Sequence, residues 1–313
     1  DSEVMTNTIL GPGGNAAIIK IDNSNNAIAI TTDCTPRYVF ADPYEGSKQA
    51  VAEAYRNISS TGATPIAITN NLNFGSPKKP EIMGQFMKSI EGISKACNIL
   101  EIPVVSGNVS LYNETDNTSI YPCPVIGMIG KIENWRNIAN LTLKKSNEKI
   151  FLLGQSECKT DGWLSCSLYS KLVLKSENGN PPPVDLIKEK KLSSFIQNSI
   201  KEKIITSSHD VSDGGLIIAI IEMFLASNLG ACINIPSSDN IHSWAFGEDQ
   251  GRYIVTSSKP ELFIKNAKKN SCEYTLIGET TEREELKIGE KNIISKHELK
   301  KLHEKFFKNL KDI

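Results

Sequence analysis

The chain has 313 residues, 39% hydrophobic and 23% charged, the make-up of a folded globular protein and not of a disordered or fibrous one. Its 35 Lys and Arg nearly balance 36 Asp and Glu, so a net charge of −1 gives no whole-chain signature for nucleic acid or an anionic membrane. No apolar stretch approaches the ~20 residues that span a bilayer, and the opening DSEVMTNTIL lacks the basic-then-apolar order of a secretory signal. A chain of this length predicts two domains. Its first residue is Asp1, as expected of a piece cut from something longer or of a processed polypeptide.

In chain order, AAIIKI (16–21) and AIAITT (27–32) read as short strands around the turn-forming DNSNN. Apolar spacing over 47–61 predicts a helix stopped at Gly62. TPIAIT (64–69) reads as a buried strand, followed by a polar loop, NNLNFGSPKKP (70–80). A second helix over 81–100 leads into the strand IPVVSG (102–107), and 119–130 reads as further strands. The alternation predicts an α/β or α+β domain whose last strands are antiparallel. The polar run LTLKKSNEK predicts a boundary, giving domains 1–146 and 147–313. Beyond it come the strand KIFLLG (149–154), a loop at 176–185 whose three prolines exclude a helix, and a helix over 186–203. SHDVSDGGL (208–216) reads as a loop feeding another helix. At the end, Leu299, Leu302, Phe306 and Leu310 form the apolar stripe of an amphipathic helix over 296–311. Seven cysteines, an odd number without zinc-ligand spacing, predict reduced thiols in a cytoplasmic protein.

Five motifs carry candidate chemistry. In SGNVSLYNET (106–115), Gly107 permits close backbone approach, and Asn108, Ser110, Asn113 and Glu114 are a dense run of oxygen donors suited to Mg²⁺. The same residues also suit an Asx-rich turn that satisfies its own backbone. In TTDCTPRY, Asp33 and Arg37 suit either a metal and a phosphate or a structural ion pair. TNNLNFGSPKKPE offers the amides of Asn70, Asn71 and Asn73 with Lys78 and Lys79, as a ligand loop or a solvated connection. Asp213 before Gly-Gly fits a helix N-cap, and His209, with no nucleophile in view, reads as structural more than as a general base. GPGG (11–14) lacks the lysine of a P-loop and is weak evidence for phosphate binding.

Taken together, ADPYEGSKQAVAEAYRNI, LNFGSPKKPEIMGQF, PVVSGNVSLYNET, PPPVDL, HDVSDGGL and FGEDQGRYIV resemble the C-terminal half of the ATP-using phosphoribosylformylglycinamidine synthases. The resemblance runs to about residue 285. It implies the second of two tandem copies of a two-domain unit similar to aminoimidazole ribonucleotide synthase, an α/β domain followed by an α+β domain. In that family ATP phosphorylates the amide oxygen of formylglycinamide ribonucleotide, and ammonia then displaces phosphate to give the amidine. By motif, Asn70 and Gly107 would contact ATP, Asn108 would help hold Mg²⁺, and Ser110 would contact the ribonucleotide substrate. Asn70 stands where Asp is usual, as does Asn15. The family's proton-transferring histidines lie in the first copy, so no catalytic residue is expected here. Glu248, Asp249 and Gln250 match the position of a first-copy ESQ substrate motif and, with Asp33 and Arg37, are candidate site lining. The implied partners are the N-terminal half of the same enzyme, a glutaminase subunit and a small bridging subunit, and an apolar docking face would let the fragment homodimerise. A nucleotide-holding scaffold without chemistry, or a stand-alone relative such as aminoimidazole ribonucleotide synthase or selenophosphate synthetase, are the alternatives.

Overall fold

The structure, a computed structural model, describes residues 7–154, 162–236 and 240–310, with side chains up to 305. Cys158 and the side chains of Phe306 and Leu310 therefore lie outside what is described. The first domain contains β1 (Thr8–Leu10), β2 (Ala17–Lys20), β3 (Ala27–Asp33), α1 (Pro36–Ala41), α2 (Pro43–Ser60), β4 (Thr64–Asn73), α3 (Pro80–Leu100), β5 (Val104–Ser110), the small hairpin β6 (Glu114–Thr115) and β7 (Thr118–Ser119), and β8 (Cys123–Ile132). Its six-stranded sheet has the order β1-β2-β3-β8-β4-β5. Only β4 and β5 pair in parallel, because α3 carries the chain back between them; the other ladders are antiparallel.

Helix α2 starts where Pro43 presets φ and the Asp42 carboxylate accepts the Tyr44 and Glu45 N–H groups, 3.0 Å each. Small residues on its inner side, Ala50, Ala54 and Ser47, let it lie close to the sheet, and Val51, Ile58, Ile68 and Ile126 complete that core. Among the described residues, no layer covers the opposite face of the sheet. Across β2, β3 and β8 the pairs Ile19–Ile28 and Ile30–Ile129 leave each isoleucine about 37–40% exposed.

The second domain contains β9 (Lys149–Leu153), α4 (Leu168–Leu172), α5 (Leu186–Lys201), β10 (Ser207–Asp210), α6 (Gly215–Leu225), β11 (Gly230–Ile233), α7 (Ile241–Phe246), β12 (Tyr253–Ser257), α8 (Pro260–Lys269), β13 (Tyr274–Thr281), β14 (Glu285–Ile288), β15 (Asn292–Ser295) and α9 (Lys296–Leu310). Its seven strands run β10-β12-β9-β13-β11-β14-β15. Strands β9 and β12 are buried on both faces, so they read as continuous apolar runs. Ile150, Leu152 and Ile254 meet α6, and Phe151, Leu153, Tyr253 and Val255 meet α5 and α8. The two α-plus-β units and their mixed sheets agree with the fold class read from the sequence. Leu141 and Leu143, in the polar run between the domains, are buried in the second core.

Three local expectations are corrected. Asn70–Asn73 is strand, not loop, and Gly107–Ser110 extends β5, because parallel backbone pairing outweighs the poor strand propensity of Asn and Gly. Ser207–Asp210 is an edge strand beside β12, and α6 is capped by Gly214 at φ 79°, with Asp213 turned to Arg37 instead. Of the terminal stripe, Leu299 is buried but Leu302 is 66% exposed.

Candidate functional site

The parallel pair β4–β5 brings four predicted residues to one sheet end. Asn70 lies opposite Gly107, Asn71 opposite Asn108, and Asn73 opposite Ser110. Strand alternation sends Asn70 to the helix side and Asn71 with Asn108 to the open side. A methyl group on Gly107 would meet Asn70 Oδ1 at 2.3 Å, so glycine is what allows the Asn70 carboxamide to lie across β5. Asn108 donates its amide N–H to Asn71 Oδ1 at 3.0 Å, which leaves the Asn108 carbonyl oxygen for a ligand. Asn108 is exposed and Ser110 half-buried.

The rest of the SGNVSLYNET run is committed to the loop. Asn113 donates to the Phe74 and Ser110 carbonyls, 3.0 Å each, and pins the two strand ends together. Glu114 accepts from Ser119 Oγ (2.6 Å), the Ser76 N–H (2.9 Å) and Lys79 (2.9 Å). Those bonds, the Ser119 hydroxyl first, draw the Glu114 carboxyl down to about 2. Here the self-satisfying turn is what the residues build, and Lys79 is part of it.

A second group lies between the domains. Arg37 bonds Asp213 (2.6 Å) and Glu248 (2.7 Å). Glu248 is fully buried; its Oε1 accepts the Leu168 and Gly214 N–H groups (2.9 and 2.8 Å), and its Oε2 also accepts from Tyr38. Asp249 accepts the Trp163 N–H at 2.9 Å, and Gln250 accepts from Arg56 at 2.8 Å. Arg56 itself meets Glu189 at 2.5 Å, both side chains being almost wholly buried. The two arginines thus reach from the first domain into acidic and amide groups of the second; Arg37, Glu248 and Gln250 of the five candidate lining residues act in this clasp, while Asp249 bonds within the second domain, to Trp163 and Arg252. Arg56 was not among the sequence candidates. Its signal was a charged Glu53-x-x-Arg56-Asn57 spacing on an otherwise small, apolar helix face.

Asp33, the fifth, faces a cleft of about 710 Å³ that also touches Gly13, Asn15, Asn57, His209 and Lys296. Asp33 accepts from Asn57 (2.8 Å) and Thr31 (3.0 Å), yet burial and the Asp210 carboxylate raise its pKa to about 7. His209 sits 2.9 Å from Glu222 and 3.5 Å from Asp210. Burial works against its charge, but those two carboxylates win and raise it to about 9. It is a held cation at neutral pH, the wrong state for a general base.

Among the described residues, no three His, Cys, Asp or Glu side chains gather to hold a metal by themselves. The strand-end donors are amides and a hydroxyl. Such a set fits Mg²⁺ bound mainly through nucleotide phosphates and water, with one or two protein oxygens. No described helix is long and apolar enough to cross a membrane.

The described architecture is that of one class of protein. The chain belongs to the AIR synthase related family: the sequence profile of the N-terminal domain of AIR synthase related proteins matches residues 13–132, and that of the C-terminal domain matches residues 145–291. Within the family it is homologous to phosphoribosylformylglycinamidine synthase subunit PurL. It is 49% identical to the Azorhizobium caulinodans protein over 90% of this chain and 38% of the relative, and 45% identical to that of Rhodopseudomonas palustris over 97% and 41%. The chain therefore spans about two-fifths of these relatives. The fold matches solved T. maritima PurL complexed with FGAR (TM-score 0.76, 20% identity, 91% of this chain and 48% of that one). It also matches the same protein complexed with ATP (TM-score 0.72, 18%, 95% and 49%) and the PurLQS structure (TM-score 0.71, 20%, 91% and 46%).

Proposed function

We propose that this chain is part of an ATP-dependent carbon–nitrogen ligase of de novo purine biosynthesis. The reaction converts formylglycinamide ribonucleotide and glutamine-derived ammonia to formylglycinamidine ribonucleotide, and this chain supplies one wall of the ATP, Mg²⁺ and substrate site. The observation that carries the reading is the meeting of Asn70, Gly107, Asn108 and Ser110 at one end of a parallel strand pair. Ends of parallel strands are where open α/β sheets take ligands. The FGAR and ATP complexes of the T. maritima homologue support the pair of ligands.

In this reading the Asn70 amide and the Gly107 backbone contact ATP, and the Ser110 hydroxyl contacts the ribonucleotide. Asn108 offers Mg²⁺ its carbonyl oxygen, and bound Mg²⁺ neutralises phosphate charge during transfer. No side chain here is assigned the proton transfer. The N-terminal half of the same enzyme supplies it, docking on the isoleucine face; a glutaminase subunit and a small bridging subunit deliver ammonia, in the cytoplasm. Without that half, the isoleucine face favours self-association of the fragment.

The test uses the full polypeptide with ammonia as nitrogen donor. Asn108→Ala is expected to lower kcat/KM at least ~10-fold, one lost charge-assisted contact, and to raise the Mg²⁺ concentration needed for half-maximal rate. Wild-type kinetics in this variant would reject the shared-wall reading and leave the scaffold alternative. The isolated chain is expected to form no amidine; measurable turnover would show that the chain is complete by itself.

A further inference from the structure

The ligand-bearing sheet end also holds two cysteines for which the ligase reading has no use. Cys34 directly follows the last residue of β3, and Cys123 opens β8. Their sulfurs lie 3.9 Å apart. Strands β3 and β8 are neighbours, with Asp33 opposite Ile126, and on its other side β8 sets Cys123 opposite Asn73. Asn73 donates to the Cys123 carbonyl at 3.1 Å and pairs with Ser110, so the thiols and the asparagine cluster share one row of strand ends.

Among the described residues, Cys232 is half-buried as well but lies within β11 of the second sheet, and three further thiols are buried. Cys166 and Cys272 are buried and point their sulfurs at the backbone carbonyls of Arg37 and Asn270; Cys97 is buried in the first core. Cys34 and Cys123 are only half-buried, and they sit at the rim of the sheet instead of among the mid-strand isoleucines. A small polar oxidant can reach them there.

We propose that Cys34 and Cys123 form a peroxide-sensitive dithiol that closes reversibly to a disulfide beside the asparagine cluster. The two thiols have different parts. The hydrogen bond between the two sulfurs holds the Cys123 thiol down to about 7 against its burial, whereas that bond, burial and the nearby Glu53 and Asp33 carboxylates push Cys34 upward. The Cys123 thiolate is therefore the attacking sulfur. It forms an S–O bond with hydrogen peroxide as the O–O bond breaks, and the departing hydroxide leaves as water after taking a proton. Cys34 then gives up its proton and attacks the Cys123 sulfenic sulfur, forming the S–S bond and expelling a second water. Two thiols and one peroxide yield one disulfide and two waters, two electrons passing from sulfur to peroxide. Closure brings the sulfurs from 3.9 Å to the ~2.05 Å of a disulfide, a movement that side-chain rotation and strand-end give can share.

The experiment treats the native full polypeptide with hydrogen peroxide, blocks remaining thiols with an alkylating agent without reduction, and maps the digest by mass spectrometry. The expected result is a loss of two titratable thiols and one linked peptide pair containing Cys34 and Cys123, which dithiothreitol separates. In Cys34→Ser the linked pair is absent and Cys123 is trapped as a sulfenic acid by dimedone. The proposal is overturned if both cysteines stay alkylatable at peroxide exposures that oxidise surface methionines. It is equally overturned if either cysteine is found linked mainly to a third one.

Discussion

Asn108 and Glu248 are both oxygen donors in glycine-containing motifs, and the fold treats them in opposite ways. Glu248 is wholly buried, and four donors from three parts of the chain take up its two oxygens: the Leu168 and Gly214 N–H groups, Arg37 and Tyr38. Asn108 stands in the open, with one neighbouring amide and a carbonyl oxygen to spare. A group that binds a ligand needs unused hydrogen-bonding capacity and a way in. A group that holds two domains together needs the reverse, since a buried polar atom left unpaired costs about 1–3 kcal/mol. The clasp and the strand end are therefore distinguished by saturation, not by residue type.

That contrast can be broken at four points. The largest effect is expected from Arg56→Met, which leaves Glu189 buried without its partner. Removing one member of such a pair costs about 3–5 kcal/mol, to be read as a lower urea midpoint in the full polypeptide; a change under ~1 kcal/mol would mean that the clasp does not hold the domains. Next comes pH. The folded pKa of His209 lies at about 9, above its ordinary 6.5, so its contribution to stability is complete below 6.5 and is lost as pH rises through 9. Unfolding free energies across that range should fall with pH in the wild type and fall less steeply in His209→Gln; parallel slopes would refute the assignment.

The remaining two tests concern the strand end, where activity and not stability should move. Gly107→Ala drives a methyl group into Asn70 Oδ1. Displacing a positioned group by about 1 Å costs ~10²-fold in rate, so kcat/KM should fall by about that factor while the urea midpoint stays within the scatter of surface variants. Ser110→Ala removes one hydroxyl contact worth ~1 kcal/mol; the KM for the ribonucleotide should rise by up to ~10-fold, with that for ATP unchanged. A shift in the ATP value instead would reassign Ser110 to the nucleotide.

Much of the framework was legible in the sequence. Ala27–Asp33 and Lys149–Leu153 appear where β-branched and apolar runs announced them, and α5 starts at Leu186 as read, capped by Asp185; α2 starts at Pro43, four residues before the apolar spacing announced it, because Asp42 caps it there. The strand ends were less legible. The asparagines of NNLN and the Gly-Asn of SGNVS disfavour β structure, and they are held in strands because β4 lies between two partners, parallel to β5 and antiparallel to β8. Nor did the sequence single out Arg56, whose partners Glu189 and Gln250 are far along the chain.

What the sequence by itself determined is the family and its two-domain plan, together with Asn70, Gly107, Asn108 and Ser110 as residues worth watching. Local pattern and motif order suffice for these, because each depends on neighbours within a few tens of residues. Only the tertiary structure decided which oxygen donors are open and which are taken. Arg37 and Glu248 are separated by 211 positions, and their bond exists only once both domains have folded and met. Saturation is a property of the assembled interface, so no stretch of sequence carries it.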